Sequence, residues 1–179
     1  MHRIFAGLAF WTTAALAGEF VLGWFLSRAI VEKRGVDAQT LFQWHMMLGI
    51  GIGTLVTILH VMTMFHFIGS GREIKDHAEI LGDRADIVRR VRRFKALTFP
   101  FATFAPLVTG AAVILGGGAS TGTLPGWVHW SIGLAALALN LVAFPIEYRC
   151  LKLNLVLLQQ VDAKIRREVA PAMFREEAP

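Results

Sequence analysis

The chain contains a single cysteine, Cys150, in 179 residues. One thiol excludes an internal disulfide and any zinc or iron–sulfur site built from several cysteines of one chain. Covalent c-type haem attachment, which needs a Cys-x-x-Cys-His run, is excluded as well. The sequence also lacks a phosphate loop, a His-Glu-x-x-His metalloprotease signature and a nucleophile elbow. Charge is missing over long distances: charged residues are 17% of the total but are crowded into a few stretches.

The uncharged or nearly uncharged runs cover 4–26, 41–69, 96–116 and 127–148. Hydrophobic residues are 55% of the chain and the mean hydropathy is +0.54. About 20 residues at ~1.5 Å rise cross a ~30 Å hydrocarbon layer, so each run is long enough to span as a helix with some tilt. Lone strands in lipid would leave backbone groups unpaired. The expected fold class is therefore all-α: an integral membrane four-helix bundle forming one domain, 1–179. The expected setting is a multi-pass position in a bilayer, that of a bacterial cytoplasmic membrane. Met1-His2-Arg3, an apolar stretch and Ala15-Leu16-Ala17 resemble a cleavable leader. The apolar run continues past that point to Leu26, which favours a retained first helix.

A net charge of +5 and a pI near 10 fit nucleic acid less well than membrane topology, because basic residues flanking apolar spans are what insertion produces. No nucleic-acid partner is expected. Lys and Arg number eight in 71–95 and six from Arg149 onward, with Arg3 ahead of the first run. The opposite side carries three, Arg28, Lys33 and Arg34, and the 117–125 loop has none. By the positive-inside rule both termini are cytoplasmic.

Cytoplasmic helical extensions are expected on that side. Within 72–95, Ile74, Ala78, Leu81, Ala85, Val88 and Val91 recur at helical spacing between charges, as one amphipathic helix would require. Within 149–168, Leu151, Leu155, Leu158, Val161 and Ile165 form a second stripe. The two can pack together, lie in the lipid interface or bind a partner chain. The tail 173–179 reads as frayed. Pro100, Pro106 and Pro145 are expected to kink the third and fourth helices. Thr103, Thr109 and Gly110 are the expected close-packing positions of the third.

An ionisable side chain at mid-helix costs ~2.5–3.5 kcal/mol on insertion scales, so each calls for a partner or a function. The candidates are Glu19, His45, His60, His66, His129 and Glu147. His45 and His129 each sit about one turn inside the exoplasmic end of their helices and share a depth. Gly49, Gly53, Val56, His60, Thr63 and Phe67 share the face of His45 at ~100° per residue. On the fourth helix Gly133, Asn140, Glu147 and Asn154 are spaced by sevens, a polar stripe that must face protein.

One histidine from each of two helices at one depth, with small residues beside them, is what holding a flat haem between helices requires. Gly49, Gly53 and Gly133 would make room for the macrocycle, and imidazole would fill both axial positions. The arrangement resembles, in architecture alone, the four-helix membrane b-type cytochromes. That resemblance implies haem b held without covalent attachment, and electron transfer. The plainer alternative is that both histidines belong to an interfacial aromatic belt with Trp44, Trp127 and Trp130.

Glu19 lies about two turns deep on the first helix. Glu19, His45 and His129 together would make a two-histidine, one-carboxylate set suited to non-haem iron and usable by zinc. A protonated Glu19 hydrogen-bonded within the bundle, with Ala15 and Gly23 on its face, is the structural alternative. His60 sits ~22 Å further along its helix than His45, at the depth of Phe144 and near Glu147. With Glu147 and Asn140 it is a candidate proton relay or quinone head-group site, or a buried contact fixing helix register. His66 is expected near the interface and His77 in solvent. Homo-oligomerisation, or a non-catalytic anchoring role in a larger membrane complex through the two extensions, is the third functional expectation.

Overall fold

The computed structural model describes residues 2–31, 38–81 and 84–168, and it is all-helical over them. Lys33, Arg34 and the tail 173–179 lie outside the described residues. Helix α1 is His2–Val31, α2 Ala38–Ile80, α3 Arg84–Ser120 and α4 Gly126–Glu168. All four are long and apolar enough to cross a membrane. At ~1.5 Å per residue, the 43 residues of α2 and of α4 span about twice a bilayer's apolar thickness. Each apolar run therefore continues without a break into a polar extension.

Around the bundle each helix touches its sequence neighbours, α1 also touches α4, and α2 meets α4 across the middle. Described residues of α1 and α3 do not meet. Chain order makes α2 and α4 parallel. Turns at the α3–α4 junction set where α4 begins. The chain folds back over Gly118, whose carbonyl accepts from Thr123 and Leu124 N–H at 3.0 and 3.2 Å. Gly122 adopts φ +74°, a left-handed conformation that glycine reaches without a Cβ penalty.

The interior has two apolar clusters. One, around Leu59, Phe67, Phe144 and Leu151, lies within the bundle and takes Phe5 and Ala9 from α1. The other, Ile74, Ala78, Ile87, Val91, Leu157 and Val161, joins the extensions of α2, α3 and α4. The two extension stripes thus pack together, and α1 takes no part. Facing outward are large apolar side chains: Trp11, Phe65 and Ile114 are 70%, 68% and 76% exposed. Such a surface suits lipid and not water.

Two expectations change. Segment 72–95 is not one amphipathic helix but the end of α2 and the start of α3, and the phase of the stripe resets between them. Ile87 and Val91 point inward on α3, whereas Ala85 is exposed and Val88 half-buried. Of the expected packing residues of α3 only Thr109 is buried; Thr103 is exposed, and a Cβ on Gly110 would meet nothing within 4 Å.

Ile74 is fully buried in the extension cluster, whereas Ile80, on the same helix, is 59% exposed. Ile74→Ala is expected to lower stability by about 2–5 kcal/mol, and Ile80→Ala by less than about 0.5 kcal/mol. Thermal and denaturant unfolding of both variants in detergent checks the contrast.

Candidate functional site

Polar groups in the core are gathered at three levels along the α2–α4 pair. The two helices hold one register throughout: Thr63 meets Glu147 and Ser70 meets Asn154, each pair 84 positions apart. His60 stacks on Phe144 at the same offset, with ring centroids 5.1 Å apart and planes 12° apart. His45 and His129 obey it too.

At the middle level His60, Asn140 and Glu147 are fully buried. Asn140 Nδ2 donates to the Ala136 carbonyl at 2.8 Å and to Thr109 Oγ1 at 3.1 Å, so its Oδ1 is left as an acceptor. His60 Nε2, 3.0 Å from that oxygen, must then carry a hydrogen. His60 Nδ1 lies 2.7 Å from Glu147 Oε1, and a single proton bonds these two atoms whichever of them holds it. In either form the pair has no net charge, which is what a buried site tolerates. Thr63 Oγ1 lies within reach of the Leu59 carbonyl at 3.1 Å and of Glu147 Oε2 at 3.3 Å.

This network joins α2, α3 and α4, and uses both ring nitrogens of His60. No nitrogen of His60 is left for a quinone head group. Toward the basic end, Asn154 Nδ2 donates to Ser70 Oγ at 2.8 Å and lies 3.4 Å from His66 Nε2. His66 is thus drawn toward the α2–α4 seam and does not simply snorkel. His77 Nδ1 is 3.4 Å from Asp162 Oδ1, an ion-pair contact between the extensions in place of the solvated position expected.

At the opposite end the two other histidines meet. The rings of His45 and His129 are 6.0 Å apart, centroid to centroid, and inclined at 72°. His129 Nδ1 is 3.0 Å from the Ala112 carbonyl of α3, so Nδ1 carries the hydrogen. His45 Nδ1 is 2.6 Å from Glu19 Oε1 of α1, in ion-pair contact but not aligned as a hydrogen bond. Neither Nε2 has a hydrogen-bond partner among the described residues. Each ring lies against a glycine of the other helix in its own hairpin. A Cβ on Gly23 would stand 2.9 Å from His45 Cε1, and one on Gly116 would stand 2.9 Å from His129 Cε1. Gly23 entered the sequence reading only as a packing residue and Gly116 not at all. The signal available was that both lie at the depth of the histidines they face.

The donor chemistry fits a haem. Ligating histidines ordinarily donate their second ring N–H to a carboxylate or carbonyl oxygen; His129 does so to Ala112, and His45 Nδ1 has a carboxylate oxygen in contact, though not in hydrogen-bond alignment. Glu19 Oε2, buried without a hydrogen-bond partner, marks the site as one with unmet polar demand. The glycines expected to make room face side chains instead. Gly49 faces Glu19, Gly53 faces Val113 and Gly133 faces Phe20, at 3.2, 3.3 and 3.8 Å from an added Cβ. Entry of a macrocycle requires those side chains to turn aside. Among the described residues no group of three or more His, Cys, Asp or Glu is arranged to hold a metal ion. Glu19 stands against Nδ1 of His45.

No known protein family, curated protein or solved structure matches this chain.

Glu147→Ala leaves His60 Nδ1 buried without a partner and is expected to cost about 3–5 kcal/mol. Glu147→Gln can donate an amide hydrogen to Nδ1, so it is expected to recover at least about half of that loss. Unfolding in detergent compares them, and equal losses for the two variants would contradict the shared proton. Gly116→Ala is expected to displace the His129 ring, with a measurable change in its NMR resonances, whereas Gly51→Ala, in open space, leaves that ring unmoved.

Proposed function

We propose that this chain is a multi-pass membrane protein that binds one b-type haem between His45 of α2 and His129 of α4 and passes single electrons. The observation that carries the reading is the meeting of two imidazoles at one depth, each with Nδ1 against an oxygen and Nε2 unbonded. Two protein ligands are sufficient for haem, because the porphyrin supplies the other four. A non-haem iron or zinc site would need further ligands from the protein, and this favours haem over that alternative.

Haem, when bound, supplies a reversible one-electron couple. The chain's residues do the rest. His45 and His129 would hold the group through their Nε2 atoms. Ala112 orients the His129 ring through its carbonyl, and Glu19 holds a carboxylate oxygen at His45 Nδ1, where it would orient the neutral ring and raise the basicity of Nε2. Gly23 and Gly116 let the rings lie close to α1 and α3. The positive-inside distribution supports a basic, cytoplasmic end for both termini and an exoplasmic position for the histidine pair.

Purified protein from cells supplied with haem is expected to show a Soret band and the reduced spectrum of bis-imidazole iron. His45→Ala and His129→Ala are each expected to abolish that spectrum. Glu19→Gln is expected to retain haem with affinity lower by about tenfold or more. Absence of both a Soret band and extractable haem from the folded wild-type protein would overturn the reading.

A further inference from the structure

Where the apolar part of α3 meets its basic extension, Lys95 lies across Gly71 of α2. A Cβ on Gly71 would stand 3.1 Å from both Cε and Nζ of that lysine, so the side chain packs closely over the glycine. The ammonium group is also 6.0 Å from the Phe99 ring. From Lys95 an open groove of about 520 Å³ runs along α3 into the apolar stretch, past Ala96, Phe99, Pro100, Thr103 and Phe104. On the other side of Lys95 the same helix face continues outward as a second groove, of about 420 Å³, lined by Ala85, Val88, Arg89 and Arg92. One stripe of α3 therefore changes from cationic to apolar at a single level.

The cations on this stripe are not neutralised from within. Asp86 is already shared by Arg89 and Arg90, at 2.6 and 2.8 Å. Lys75, Arg92 and Lys95 have no carboxylate partner among the described residues. Burial, and then the nearby charge of Lys75, hold the Lys95 ammonium below its ordinary pKa. An anion at this level would favour the charged ammonium and offset the repulsion from Lys75.

We propose that this groove binds one anionic phospholipid, its phosphate held by Lys95, Lys75 and Arg92 and an acyl chain laid along Phe99, Pro100 and Phe104. A soluble anion would account for the cations but not for the apolar groove that begins beneath them. A zwitterionic lipid would account for the groove but leave the cations uncompensated. Charge complementarity and position at the polar–apolar boundary together select an anionic headgroup carrying its own chain. The proposal does not depend on whether haem is bound.

The test uses the full-length protein in mild detergent, titrated with phosphatidylglycerol, phosphatidylcholine or inorganic phosphate, with native mass spectrometry and thermal unfolding as readouts. One phosphatidylglycerol is expected to remain bound and to raise the melting temperature by several degrees, with neither effect from the other two. Lys75→Gln, Lys95→Gln and Arg92→Gln are each expected to weaken phosphatidylglycerol binding about fivefold. Arg92 is exposed, so its variant remains informative if a lysine variant fails to fold. Equal retention of phosphatidylcholine would overturn the proposal. So would the same thermal shift from phosphate alone, or undiminished phosphatidylglycerol binding by the Arg92 variant.

Discussion

The contact between His60 and Glu147 is the constraint on which the rest of the bundle depends. Two ionisable side chains at mid-helix are expensive apart and tolerable together, because one proton between Nδ1 and Oε1 leaves the pair without net charge. Asn140 then fixes the other face of the imidazole and, through Thr109, extends the same network to α3. A slip of one residue along α4 would break every member of this set at once. Apolar packing against lipid-like surroundings is far less particular about register, so the polar network supplies the specificity that apolar contact lacks.

The register it sets reaches both ends of the molecule. The offset that brings Thr63 to Glu147 also brings Ser70 to Asn154 near the basic end. At the other end it carries His45 to His129. Only α1 stands outside the network, and it completes the histidine level with Glu19 and Gly23 and closes the bundle with Phe5 and Ala9. The three longer helices continue as a bundle of their own beyond the level of α1. One protein therefore has a polar lock at its centre, a ring-lined site at one end and a cationic three-helix extension at the other.

Much of this was legible in the sequence because helical periodicity is rigid. Positions separated by sevens had to share a face, so the burial of Asn140, Glu147 and Asn154 followed from spacing alone. The likeness in depth of His45 and His129 followed from counting along two parallel helices. The extension between 71 and 95 was misread for the converse reason. A stripe drawn through 74, 78, 81, 85, 88 and 91 assumes one continuous helix, and the break after Leu81 resets the phase. What Gly49, Gly53 and Gly133 face is not legible in their spacing, because the space beside a glycine depends on which side chain arrives from another helix.

The sequence by itself determined four spanning-length helices, the charge asymmetry between their ends and the inward polar stripe of α4. Each depends only on local composition and the fixed 3.6-residue turn. Tertiary structure decided which partners those inward groups meet. Glu19 stands at Nδ1 of His45 and not beside both imidazoles as a third ligand, His60 has no free nitrogen, and Gly23 and Gly116 receive the histidine rings. These outcomes depend on the rotation of each helix about its axis and on side-chain direction across a seam, neither of which is carried by spacing along one chain.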